Sequence, residues 1–254
     1  MMAMRVAIFG LGYTGRHLAQ QWRERYRLSL YSRSSSLDGS PELDVSLSQD
    51  VLHLADRGLP HWDAAVVTLP AHHACPEFWD LLLDACPHVI VYGTTGIYAR
   101  QGLHREPLHE ESVIDQTHPR ATIETKLQQR GATILRLAGI YGPARNPRDW
   151  LQRGLVGPDD RQVNFIHVTD IATITAHVID ARPADRLLNL ADGQAHSWLQ
   201  IAEFLHRAGY LTHLPPPKTT KADSVVEIGR LLRAYPGVRP RDFWLMLDEL
   251  CATR

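Results

Sequence analysis

Residues 5–15 read RVAIFGLGYTG, a short apolar run from Arg5 to Phe9 closed by a glycine loop from Gly10 to Gly15. An amphipathic stretch from about Thr14 to Arg25 follows, so the loop stands between a predicted strand and a predicted helix. In a G-x-G-x-x-G so placed, the first glycine permits a tight turn, the second lets backbone approach a pyrophosphate, and the third lets helix pack on strand. Those roles fall to Gly10, Gly12 and Gly15, with the helix N-terminus facing the phosphates. Leu11, Tyr13 and Thr14 complete the loop and are assigned with the glycines to dinucleotide binding. This stretch sets the expected class: α/β, a Rossmann-type doubly wound parallel sheet.

The rest of the chain keeps the alternation that such a sheet requires. Strands are predicted at Leu28 to Tyr31, within Asp63 to Pro70, at His88 to Gly93, through ATILRLAGI (132–140) and at Arg186 to Ala191. Helices are predicted from Pro76, where proline suits a first turn, and at Ala121 to Gln129, Thr169 to Ile179 and Ser197 to Ala208. Thr169 is the expected N-cap of its helix. The prolines of LPPPK (214–218) mark a linker into a C-terminal tail with one more short helix. The expected organisation is a single dinucleotide-binding Rossmann domain over 1–254, with 143–254 contributing a small C-terminal substrate-binding region.

Composition narrows the function class. The chain has 254 residues, 44% of them apolar, and a net charge of −1 with no long run of like charge. A sizeable core is possible, and neither nucleic acid nor a membrane is an expected partner. The start MMAMRVAIFG lacks the apolar length of a signal peptide or a span, so the expected location is cytoplasmic. Cys75, Cys86 and Cys251 are scattered and read as reduced and structural. Of fourteen histidines only His72 and His73 are adjacent, and neighbours point apart rather than onto a metal, so no metal site is expected. A small-molecule substrate remains.

The end of the second strand selects the cofactor. A carboxylate there would hold the adenosine ribose, but the sequence offers YSRSSS (31–36) with no acid before Asp38. The Arg33 guanidinium, flanked by Ser32 and Ser34, suits a 2′-phosphate, which favours NADP with NAD as the alternative. Arg16, just past the last glycine, is a second candidate for that phosphate. The competing reading of Arg33 is a solvated loop residue.

Six segments, in order, resemble the extended branch of the short-chain dehydrogenase/reductases, the NAD-dependent epimerase/dehydratases. They are GLGYTG (10–15), DV (44–45), VYGTTGIYA (91–99), ILRLAGIYGP (134–143), NFIHVTDIA (164–172) and LLNLADG (187–193). The resemblance implies that Asp44 and Val45 sit by the adenine and that Leu69 and Pro70 line the cofactor cleft. It implies Thr94 as the hydroxyl that orients substrate. The family also uses a tyrosine as acid or base and a lysine four residues on that lowers the tyrosine pKa and binds ribose.

That pair is missing. At the Y-x-x-x-K spacing stand Thr122 and Lys126, with threonine in the tyrosine's place. Aligning Glu124 instead with the glutamate usually found four residues beyond the lysine puts Arg120 at the lysine position and Gln116 at the tyrosine position. Both alignments stay open here, and neither supplies a phenol; threonine and glutamine are far too weakly acidic to replace it. The combination resembles atypical members of the superfamily that keep the glycine motif and the upstream hydroxyl but lack the pair. Thr94, Thr122 and Lys126 are the catalytic candidates.

Tyr98, Asn164 and His167 are the substrate-binding candidates, from segments that border the family's pocket. Tyr141, His109 and His118 are alternative proton carriers; Trp150, Arg153, Arg145 and Arg148 are further pocket candidates. The expected function is an NADP-dependent oxidoreductase or epimerase/dehydratase-like enzyme acting on a carbonyl or hydroxyl group of a small metabolite, a nucleotide sugar among the candidates. A catalytically silent NADP-binding sensor is the alternative. The helix 121–129 shows no clear apolar face beyond Ile123 and Leu127, which leaves monomer and homodimer both open.

Overall fold

A computed structural model describes residues 3–33, 43–56, 58–100, 106–182, 184–218 and 223–253. In chain order the elements are β1 (Arg5–Phe9), α1 (Tyr13–Trp22), β2 (Arg27–Tyr31), α2 (Ser48–Asp56), β3 (Ala64–Val67), α3 (Pro76–Ala85), β4 (Val89–Thr94), α4 (Ala121–Gln129), β5 (Thr133–Leu137) and β6 (Gly139–Tyr141). There follow α5 (Pro147–Gln152), β7 (Gln162–Val163), β8 (Phe165–His167), α6 (Val168–Ala181), β9 (Leu187–Leu190), β10 (His196–Ser197), α7 (Trp198–Arg207), α8 (Gly229–Ala234) and α9 (Phe243–Ala252).

Two compact units emerge, one made of 1–94, 116–136 and 172–188, the other of 95–115, 137–171 and 189–254. The second unit is therefore not one C-terminal stretch: residues 95–115 join it, and 172–188 belong to the first.

The main sheet runs β2-β1-β3-β4-β5-β9 among the described residues. β1 pairs in parallel with both β2 and β3, and β3 pairs in parallel with β4. The chain thus leaves β1 in one direction and returns to its other side, and a ligand crevice opens at such a switch beyond the strands' C-terminal ends. The strands read as unbroken apolar runs because both faces are covered. Ala7, Phe9, Ala65, Val67, Val89 and Val91 point into one layer with Phe78, Trp79 and Leu82 of α3 and Leu127 of α4. On the other face Tyr92 hydrogen-bonds Thr175 at 2.8 Å, and Trp22 Nε1 donates to the Ala172 carbonyl at 3.2 Å. Arg25 and the Tyr26 hydroxyl both reach Asp180, which ties the end of α1 to residues 172–181.

Around Gly139 the strand expected through 132–140 divides. β5 stays in the main sheet, whereas β6 turns away to pair with β8. A Cβ at Gly139 would lie 3.0 Å from the Phe165 ring and 3.2 Å from the Asn164 carbonyl, so any larger residue would press both neighbours back.

The second unit is built on rings and on its C-terminal helix. Phe165 stacks on Phe243 at 4.8 Å, and Tyr141, Trp198, Leu205, Leu247 and Cys251 complete the cluster. Phe243, Leu247 and Cys251, spaced by four, form one buried face of α9. The tail beyond LPPPK is therefore core rather than appendage. Ser197 and Gln200 cap α7 reciprocally, and Asn146 caps α5 while its amide donates to the Leu250 carbonyl at 3.2 Å. The N-cap expected at Thr169 is displaced: α6 begins at Val168, and the Thr169 backbone N–H donates to His167 Nδ1 at 3.2 Å. All three cysteines are buried and unbonded. No described helix is long and apolar enough to cross a membrane.

Truncating Phe243→Ala is expected to cost about 3–5 kcal/mol of stability, as for other large buried rings. Urea unfolding measures it, and a loss below about 1 kcal/mol would return α9 to the status of a tail.

Candidate active site

At the switch between β1 and β3 the glycine loop is held from several sides. Gly10 adopts φ +99°, and its N–H donates to the Tyr31 carbonyl at 2.9 Å. Thr68, just past β3, donates its hydroxyl to the Gly10 carbonyl at 2.6 Å. A Cβ on Gly15 would lie 2.0 Å from the Gly10 carbonyl oxygen, so helix and loop touch backbone to backbone there. At Gly12 nothing lies within 4 Å of such a Cβ. α1 has no acid in its first turn and no side-chain cap. A helix N-terminus without a side-chain cap or an acid of its own is an arrangement that receives a phosphate. Arg16 donates to the Leu11 carbonyl at 2.8 Å and closes the loop.

Beyond β2, the Leu43 N–H donates to the Ser32 carbonyl at 2.9 Å, which brings Asp44 and Val45 back beside Arg33. Ser46 donates to the Asp44 carboxylate through its hydroxyl at 2.6 Å and its N–H at 3.0 Å. Those bonds, with a smaller pull from Arg33, hold Asp44 below the usual carboxylate range. Arg33 itself is exposed. Val45 is buried and accepts from the Cys75 N–H at 2.8 Å. Leu69 and Pro70, half-buried, run from Thr68 into a 3-10 turn, Ala71–His73. Ser34 lies outside the described residues.

Thr94 ends β4 and is half-buried. Beneath it lies a buried ion pair: Arg136 of β5 donates through Nε to Glu124 of α4 at 3.1 Å, with side-chain exposures of 2% and 0%. The Thr94 backbone N–H also acts on this carboxylate. Burial pushes the Glu124 carboxyl upward, and Arg136 opposes that shift. Gly93 makes room, since a Cβ there would meet both carboxylate oxygens within 2.9 Å.

No protein-family model matches the chain. It is 28% identical to Protein YeeZ of Escherichia coli K12 over 245 residues, 84% of this chain and 86% of that one. Among solved structures, one from Methylobacillus flagellatus carrying the description NAD-dependent epimerase/dehydratase superposes with a TM-score of 0.77 at 20% identity, covering 99% of this chain and 98% of its own. UDP-glucose 4-epimerase of Thermotoga maritima, solved with UDP-glucose, gives 0.81 at 14% identity, covering 98% and 97%. The chain has the fold of the NAD-dependent epimerase/dehydratases.

Within the epimerase/dehydratase fold, α4 is the helix on which the tyrosine and lysine were sought. Its buried face is Ala121, Glu124 and Leu127. Thr122 and Lys126 are exposed, as is Gln116 in the turn before the helix, while Arg120 is partly buried at the N-cap. The glutamate of the second alignment is thus the one locked under β4, and the i, i+4 pair Thr122 and Lys126 lies on the other side of the helix.

The side chains expected at a substrate pocket in the second unit are held internally. The buried Tyr98 hydroxyl donates to Asn189 Oδ1 at 2.6 Å. Asn164 accepts from the Val226 N–H at 2.6 Å and donates to the Gln194 carbonyl, bracing two segments. His167, 8% exposed, caps α6 and packs its ring 5.1 Å from Tyr141. Tyr141 is fully buried, and desolvation with nearby Asp192 and Asp170 drives its phenol far upward. Arg148 is buried against Asp149, Trp150 sits in the ring cluster, and Arg145 and Arg153 are exposed. His109 pairs with Glu111 at 3.0 Å on the surface. No group of three metal-ligating side chains occurs among the described residues.

Sequence reading missed Arg136 and Thr68. The one signal for Arg136 was a lone charge inside the apolar run TILRL; Thr68 had none.

Glu124→Ala takes the buried carboxylate away from the Arg136 guanidinium, with an expected loss of about 3–5 kcal/mol, whereas joint replacement by Glu124→Leu and Arg136→Met restores most of it. Urea unfolding of the single and double variants measures both; equal losses would show that the pair acts only through shape.

Proposed function

We propose that the protein binds NADP in preference to NAD and works as an oxidoreductase or epimerase/dehydratase-like enzyme on a carbonyl or hydroxyl group of a small metabolite. The observation that carries this is the glycine loop: Gly12 opens onto free space at an uncapped, acid-free helix N-terminus on the switch point of a parallel sheet. The residues present fit a dinucleotide, with Gly10, Leu11, Gly12, Tyr13, Thr14 and Gly15 around the pyrophosphate. Asp44, Val45, Leu69 and Pro70 would lie along the adenosine half. Arg33 makes no ion pair among the described residues and stands beside Ser32 at the end of β2, which supports recognition of a 2′-phosphate.

When bound, the nicotinamide accepts or donates a hydride. The chain's own contribution starts at Thr94, whose backbone is anchored through Glu124 and whose hydroxyl orients the substrate oxygen. Thr122 and Lys126, on the exposed side of α4, are the weaker part of the proposed set. A nucleotide sugar is one substrate class, by analogy with the UDP-glucose bound by the Thermotoga enzyme.

Gly12→Ala is expected to leave the melting temperature of the free protein unchanged, since its φ of −72° suits alanine and the Cβ meets nothing. It should abolish the rise in melting temperature that NADPH produces in the parent. A rise kept by the variant would remove the loop from the site.

Arg33→Ala is expected to weaken NADPH binding about tenfold or more while sparing NADH, the loss of one charge-assisted contact. Equal effects on both nucleotides, by calorimetry, would sink the preference. Thr94→Ala should lower kcat by about a hundredfold on any substrate found in a panel of carbonyls, alcohols and nucleotide sugars. Tight NADPH binding with no turnover across that panel would assign the chain to nucleotide sensing instead.

A further inference from the structure

The crevice at the C-terminal ends of β3 and β4 carries a set of side chains that neither the glycine loop nor Thr94 requires. The 3-10 turn Ala71–His73 leaves the end of β3 directly after Leu69 and Pro70, and α4 packs against it. On the turn, the rings of His72 and His73 lie 4.3 Å apart. At the head of α4, the Arg120 N–H donates to His118 Nδ1 at 3.2 Å, which fixes that imidazole and leaves its neutral form protonated on Nε2. The guanidinium of Arg120, partly buried, makes no ion pair and no hydrogen bond among the described residues. Among the described residues the carboxylate of Glu124 is within its electrostatic reach, and Arg136 already engages it at 3.1 Å.

We propose that His72, His118 and Arg120 form a subsite that holds an anionic group of the substrate, a phosphate or a carboxylate. This rests on the dinucleotide-dependent reading above and narrows its substrate class. Groups that carry or acquire positive charge repel one another when gathered, and a bound anion converts that repulsion into attraction. His72 shows the repulsion: burial, then His73, Arg120 and His118, hold it below its ordinary range. A planar guanidinium beside imidazole N–H donors matches the oxygens of a phosphate or a carboxylate, and it offers a neutral sugar ring no comparable fit. Thr94 lies at the same sheet edge, its backbone coupled to Glu124 four residues beyond Arg120. An anion held here would therefore fix the position of the adjoining carbonyl or hydroxyl carbon relative to Thr94.

The test is calorimetric titration with sulfate, as a phosphate mimic of constant charge, and with malonate, as a carboxylate probe. Each is run on the parent and on Arg120→Met, with and without saturating NADPH, so that the glycine loop can be filled. The expected result is an anion-binding event that survives NADPH and weakens about tenfold or more in Arg120→Met. Its preference for sulfate or malonate tells phosphate from carboxylate. Binding should also tighten as pH falls, because a bound anion favours the protonated form of His72, which its surroundings otherwise hold below its ordinary range. His72→Ala should halve or abolish that pH dependence. Should Arg120→Met fail to fold, Arg120→Lys, which keeps charge but loses the fork, is expected to show a smaller loss.

Anion binding unchanged by Arg120→Met and His72→Ala, or fully displaced by NADPH with no dependence on either residue, would overturn the proposal. Arg120-dependent anion binding in a protein that fails to bind NADPH would leave this subsite standing and remove the dinucleotide reading.

Discussion

A carboxylate and a guanidinium, both shut away from water, hold α4 against the strands in the first unit. Glu124 and Arg136 sit at 0% and 2% exposure, and separating a buried pair costs more than breaking a surface one. The strand must yield to accommodate them: β4 has glycine at position 93 because both carboxylate oxygens occupy the space a side chain would fill. Thr94, the next residue, has its backbone directed at the same carboxylate. A single buried pair thus sets the depth of α4, the end of β4 and the position of the hydroxyl proposed to meet substrate.

The glycine loop depends on a different constraint, close contact of backbone with backbone. Gly15 lies against the Gly10 carbonyl, Thr68 clasps that same carbonyl, and the Tyr31 carbonyl fixes the Gly10 N–H. Contacts from the ends of three strands therefore converge on one residue, Gly10, and the parallel register of β1 with both β2 and β3 is what brings them there. The free volume above Gly12 is the counterpart of that crowding below.

Much of this was legible in the sequence, for physical reasons that differ by residue. RVAIF followed by GLGYTG announces strand, loop and helix because glycine tolerates what the turn and the packing demand, and the alternating pattern beyond it predicts the parallel sheet. The helix at 121–129 emerges with the expected bounds. Less legible were features set by distant partners. The break after Leu137 follows from the approach of Phe165 to Gly139, which no local pattern encodes. Thr169 looked like a cap by type, yet the preceding imidazole of His167 takes the bond. The polar atoms of Tyr98 and Asn164, expected to face a ligand, find Asn189, Val226 and Gln194 instead, partners far away in the chain. Residues 214–218 read as a linker because prolines interrupt every periodicity, although the helix after them completes a core.

The three thiols fall two in the first unit, Cys75 and Cys86, and one in the second, Cys251. Burial pushes the Cys86 thiol up to about 11 and raises that of Cys251 as well, so little thiolate forms at these two near neutral pH and both should ignore alkylating reagents in the native protein. Cys86 and Cys251 become reactive only when their own surroundings open. The chain therefore carries built-in reporters of local opening, one for the first unit and one for the aromatic core around α9, readable by mass spectrometry after alkylation without an engineered cysteine.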